Sequence, residues 1–160
     1  MAIPLGQKAA DDRAGERREP VRFSAAFAAG AARAADGRKA LQAVLARAAN
    51  VGHPPLSPTA VMDAELVISE LLTNAIQHAP GPCGVVLELS DAELSVTVWD
   101  TSPREPVPRP PDERRVGGHG LHLVRVLSHR FMTASHALGK QVVAQLRLLP
   151  DPTRGALSGP

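Results

Sequence analysis

At 160 residues, with a net charge of +2 and 44% hydrophobic residues, the chain has the size and make-up of one ordinary globular domain. Three Phe, one Trp and no Tyr leave no set of rings on which bases could stack, and so small a charge excess, unclustered, gives no footprint for direct nucleic-acid binding. The single cysteine, Cys83, excludes a disulfide framework and a thiolate metal site; with no apolar run near the roughly 20 residues of a spanning helix and no secretory signal in Met1 to Pro20, no membrane role and a cytoplasmic location are expected.

Residues 1–20 are expected to form a flexible arm and residues 150–160, with three prolines and two glycines, a flexible tail, which leaves one domain over 21–149. Val21 to Ala26 reads as a short first strand. Phe27 to Ala49, rich in Ala, Leu and Arg, reads as a helix that Gly37 would break or bend. His53 to Pro58 is a proline-rich loop. Ser57 then supplies a helix N-cap, with Pro58 at the first helical position, where its missing N–H costs nothing. Val61, Ala64, Ile68, Leu71, Leu72, Ala75, Ile76 and Ala79 recur at three- and four-residue spacing, which predicts one apolar face, and Pro80-Gly81-Pro82 ends the helix.

Val85 to Leu89 and Leu94 to Trp99 alternate as strands do, and the short Ser90 to Glu93 connection predicts an antiparallel hairpin, with Asp100 just beyond its end. Thr101 to Val116 carries five prolines and cannot be regular structure; so long a connection inside a domain is either functional or disordered. Gly117-Gly118-His119-Gly120 opens an apolar run, Leu121 to Leu127, that reads as helix. Phe131 to Ser135 and Gln141 to Leu148 read as a closing hairpin turned around Gly139-Lys140. Hairpins mixed with helices predict an α+β fold, a two-layer α/β sandwich with a mixed, mostly antiparallel sheet and helices on one face.

Three features could carry chemistry. Glu70 and Asn74, four apart on the strong helix, are separated by roughly 40° and 6 Å and both border the apolar arc. An Asn carboxamide oxygen suits Mg²⁺, and a nearby carboxylate can orient or deprotonate a nucleophile. The glycine cluster before Leu121 would offer free N–H groups and the positive end of a helix dipole to phosphate. Asp100 stands at a strand end before an irregular loop. Each has an ordinary reading too: a solvated helix pair, a plain glycine turn, and a turn residue bonded to its own backbone.

Their order is more informative than any one of them. Glu-Leu-Leu-Thr-Asn-Ala-Ile-Gln-His-Ala from Glu70, a hairpin, Val98-Trp99-Asp100, a Pro-rich loop and Gly117-Gly118-His119-Gly120-Leu121-His122-Leu123-Val124 together closely resemble the GHKL superfamily of gyrase, heat-shock chaperone, histidine-kinase and mismatch-repair ATPases. Leu66 to Ala75 is most similar to the small stand-alone bacterial ATP-binding proteins related to anti-sigma factor serine/threonine kinases. The resemblance implies ATP and Mg²⁺ as cofactors, with Glu70 the general base and Asn74 both an ATP-site residue and the Mg²⁺ ligand. It implies that Asp100 accepts from the adenine amino group, that Ser102 stands for the first glycine of the first glycine box, and that residues 101–116 form a lid. Gly118 and Gly120 would let the backbone approach the nucleotide, and Leu121 would open the helix that helps hold its phosphates.

The same resemblance implies an anti-sigma-type kinase that phosphorylates an anti-anti-sigma-type antagonist, a sigma factor as a further partner, and room for a homodimer. The alternative is a non-catalytic module that acts by sequestration. The sequence departs from the superfamily pattern in places. Asp100-Thr101-Ser102-Pro103-Arg104 lacks the second glycine of that box, His119 stands where Arg is frequent, and Gln141 stands where Thr is frequent. Arg104, Arg109, Arg114 and Arg115 are further candidates for phosphate contact.

Overall fold

A computed structural model of the chain describes residues 17–79, 81–102 and 120–148. The elements run β1 (Val21–Phe27), α1 (Ala34–Asn50), α2 (Pro58–His78), β2 (Cys83–Leu89), β3 (Glu93–Asp100), α3 (Gly120–Leu127), β4 (Arg130–His136) and β5 (Gly139–Arg147). The expected arm up to residue 16, most of the expected lid, Gly118 and the tail lie outside the described residues.

The strands form one sheet in the order β1-β2-β3-β5-β4, and all four pairings are antiparallel. Register explains the core. Val85, Leu87 and Leu89 lie opposite Val98, Val96 and Leu94, which in turn lie opposite Val142, Ala144 and Leu146, and all nine are buried. Because side chains alternate across a strand, these rows share one face, and the helices cover it. The opposite face carries half-buried Ser95, Thr97 and Trp99. The fold is therefore the α+β two-layer sandwich that the pattern predicts, with the whole helix layer on one side.

α2 is the central brace and packs on both other helices as well as on the sheet. Ser57 caps it by accepting from the Ala60 N–H at 3.1 Å, with Pro58 in the first turn. Ala64, Val67, Ile68, Leu71, Leu72 and Ala75 form its buried stripe. Fully burying its Val, Ile and Leu side chains stabilises by roughly 1.5–3 kcal/mol each, before the chain-ordering cost.

Three expectations about the elements need correction. The helix expected from Phe27 begins instead at Ala34: Phe27 closes β1 opposite Cys83, and a turn with the Ala31 N–H bonded to the Ala28 carbonyl at 3.0 Å precedes the helix. Strand pairing takes Phe27 and a turn takes the alanines that follow it, against their helix propensity. Gly37 does not break α1; it is buried inside it, where its missing side chain admits Ile68 of α2. The last hairpin turns at Ala137-Leu138, not at Gly139-Lys140, which are the first residues of β5.

At the far end of the sheet His53 ties the N-terminal segment down. Its Nε2 lies 3.2 Å from the Glu19 carbonyl. Its Nδ1 lies 3.0 Å from Asp91 Oδ1, within ion-pair reach but without the alignment of a hydrogen bond. Arg18 reaches the same carboxylate at 3.2 Å.

Candidate functional site

The second half of α2 presents Glu70 and Asn74, both half-buried, on the flank of a helix whose Leu71, Leu72 and Ala75 are in the core. Glu70 meets the first residue of α3. Its carboxylate occupies the space that a side chain on Gly120 would need, so glycine is the residue that admits it. A carboxylate at a helix N-terminus is electrostatically favoured, and that is where Glu70 stands. The Glu70 carboxylate and a glycine fifty residues later are thus brought together.

Asp100 closes β3 and is buried, at 4% exposure. Asp100 Oδ1 accepts the Ser102 N–H at 2.8 Å, the local turn that Asp favours. Asp100 Oδ2 lies 3.3 Å from Lys140 Nζ, and Lys140 is buried as well. Asp100 was expected just past the strand, yet it is its last paired residue, opposite Cys83 on one side and Lys140 on the other. Gly139, at φ +146, brings β5 against the backbone of Asp100 and Thr101, and Gly81 leaves room for the Thr101 side chain. Burial pushes the Cys83 thiol above its ordinary value, and the Asp100 charge pushes it further. The thiol is therefore protonated and inert near neutrality, as a buried cysteine should be.

These contacts order the site along α2. Glu70 and Ala79 are about 14 Å apart along the helix axis. One end meets the α3 N-terminus; the other leads through Gly81 to Thr101 and Asp100. Ser102 is buried beside Asp100, and Leu121 is half-buried in the first turn of α3. Gly118, His119 and the four arginines lie outside the described residues. Sequence reasoning missed Lys140 as a partner of Asp100. A lysine after glycine reads as an exposed turn, and only the strand register places it beside a carboxylate.

His78 and His122 are exposed on their helices, as expected for surface residues. His129 pairs with Glu93 at 3.1 Å. No helix among the described residues is long and apolar enough to cross a membrane.

Residues 27–146 match the family model of the histidine kinase-like ATPase domain, and the chain belongs to that family. Among solved structures it is similar to the crystal structure of the RsbU and RsbW domains of Rv1364c from Mycobacterium tuberculosis, with a TM-score of 0.56 and 20% identity. That likeness covers 81% of this chain and 34% of the other, and it establishes a shared fold. A comparison with curated proteins finds no match.

Proposed function

We propose that this protein is an ATP-dependent serine/threonine kinase of the anti-sigma type, which transfers the γ-phosphate of ATP to an antagonist protein. The observation that carries the proposal is the Glu70 carboxylate seated against Gly120 at the start of α3, one helical turn from Asn74. In this reading the ATP-binding domain spans 21–149, with a lid over 101–116. The base lies at the Asp100 end, where the carboxylate accepts from the adenine amino group, and the phosphates lie at the Glu70 end. Ser102, Gly118, Gly120 and Leu121 line the path between.

Mg²⁺ is usually held by one or two protein oxygens together with substrate phosphates and waters. Asn74, half-buried and facing the same flank as Glu70, is a sufficient donor of that kind. When bound there, the ion would neutralise charge on the phosphates. Glu70 then takes the proton of the attacking Ser or Thr hydroxyl of the antagonist, and the amides at the start of α3 meet the phosphate oxygens. The partner protein, a sigma factor as further partner, and a homodimer belong to the same reading.

Removing the two side chains separately tests it. Glu70→Ala should leave Mg-ATP binding nearly intact and cut phosphate transfer by roughly 10²–10⁴-fold, because a general base acts on the nucleophile. Asn74→Ala should weaken Mg-nucleotide binding itself, so that binding and transfer fall together. Calorimetry with Mg-ATP and transfer of labelled phosphate to candidate antagonists read the two effects. Wild-type protein that binds ATP but phosphorylates no antagonist, with sigma-factor binding untouched by either change, would assign the fold to sequestration instead.

A further inference from the structure

We propose that Lys140 is the second half of a base-reading pair: with Asp100 accepting from the adenine amino group, Lys140 Nζ donates to the neighbouring ring nitrogen, N1. The proposal rests on the nucleotide-site reading above and adds a residue that reading does not use.

It begins from a buried ion pair that stability does not explain. Lys140 is 2% exposed and Asp100 4%, with 3.3 Å between Nζ and Oδ2. Taking both charges out of water carries a large desolvation penalty, and an apolar pair of similar volume is often at least as stable. The pair is nonetheless placed with care. Lys140 is the direct cross-strand partner of Asp100, its side chain falls in the same buried row as Val142 and Ala144, and Gly139 presses the two backbones together.

The donor and acceptor inventory points to a third participant. A lysine ammonium has three N–H donors, and among the described residues the carboxylate set against it is Asp100. A buried donor left without an acceptor is costly. An ionised carboxylate has about four lone-pair sites, and among the described residues those used are one toward Ser102 N–H and one toward Lys140. Acceptor capacity and donor capacity are therefore left side by side. Adenine presents the complement on one edge: an amino donor next to the N1 acceptor. N1 lies on the side of the ring away from the ribose, so it enters first into a buried pair, whereas N7 lies nearer the sugar.

The test compares ATP, 1-deaza-ATP and 7-deaza-ATP by calorimetry, in wild type and in Lys140→Met. In wild type, ATP and 7-deaza-ATP should bind alike, and 1-deaza-ATP about 10-fold or more weakly, the usual scale for losing a hydrogen bond to a charged group. In Lys140→Met, ATP should weaken by a similar factor, and the gap between ATP and 1-deaza-ATP should close to within about twofold, since the two deletions remove one interaction. A change in general packing would weaken all three ligands together and leave the gap open, which overturns the proposal. The wild-type comparison stands even where the variant fails to fold. Equal binding of all three, or a loss with 7-deaza-ATP in place of 1-deaza-ATP, overturns the role of Lys140 and leaves the site in place. Wild-type protein that binds none of the three overturns the nucleotide site itself.

Discussion

Replacing Gly120 by Ala puts a methyl carbon where the Glu70 carboxylate lies. The intruding atom would meet Glu70 Oε2 first, with Cδ at 2.9 Å and Cγ at 3.5 Å, so that the three nearest atoms all belong to that one side chain. A long side chain yields by rotating, and an off-rotamer torsion costs about 0.5–1.5 kcal/mol. Ala is better than Gly in a helix by up to about 1 kcal/mol, which offsets most of that cost. Stability should stay within about 1 kcal/mol of wild type, a Tm change of roughly 2–4 °C for a chain of this size. The carboxylate itself must move by more than about 1 Å to restore ordinary contact, and a displacement of that size at a catalytic group costs on the order of 10²-fold in rate. Gly120→Ala should therefore fold, lose some Mg-ATP affinity because Gly120 lines the proposed nucleotide path, and transfer phosphate about 100-fold more slowly, a larger loss than that in binding. Thermal denaturation, calorimetry and labelled-phosphate transfer measure the three. A transfer rate equal to wild type in a folded variant would refute the coupling of Gly120 to Glu70. A Tm lower by 10 °C or more would refute the claim that only a flexible side chain stands in the way.

Two further outcomes follow from packing and charge. Gly37→Ala would normally stabilise a helix by up to about 1 kcal/mol, but its methyl would come within 2.5 Å of Ile68 Cγ2, so overpacking of about 1–3 kcal/mol should win. Adding Ile68→Leu, which removes that methyl, should recover part of the loss in a urea melt, and an additive double variant would count against the contact. Burial pushes the Asp91 carboxyl up, but hydrogen bonding and charge from Arg18, with the charge of His53, outweigh it and hold the group below its ordinary value. Its stabilising effect is thus present above the unfolded value of about 3.9 and is lost as pH falls through the folded value. The Tm difference between wild type and Asp91→Asn should shrink as pH falls from about 5 through the folded value. A constant difference would mean that Asp91 acts by packing.

The legible parts of this chain are those where local pattern and tertiary role agree. The apolar stripe, N-cap and proline stop of α2 gave its span, and alternation gave the β2–β3 hairpin. Where a local preference met a tertiary demand, the sequence misled. The alanines after Phe27 look helical, yet Phe27 pairs with Cys83 and the residues after it turn, and nothing near Phe27 announces a partner more than fifty residues away. Gly37 looked like a helix breaker because its meaning lies on the facing helix, at Ile68. The site divides in the same way. Glu70, Asn74 and Asp100 were visible through residue type and order, whereas the Glu70–Gly120 contact and the Asp100–Lys140 pair depend on packing and register across long separations.

Those two contacts also define how the halves of the site are joined. Ser102, whose N–H is bound to Asp100, is the last described residue before the Pro-rich segment. Gly120, packed on Glu70, is the first after it. The segment that contains Gly118 and the four arginines is thus anchored at one end beside the carboxylate proposed to read the base and at the other beside the carboxylate proposed as general base. Neither of these two described contacts uses a side chain of the segment: one is a backbone N–H and the other a missing side chain. Substitutions within the segment therefore leave the groups that make these two contacts unchanged. That separation would let this sequence depart from the family's glycine box at Arg104 and still keep the pairings that hold Glu70 and Asp100.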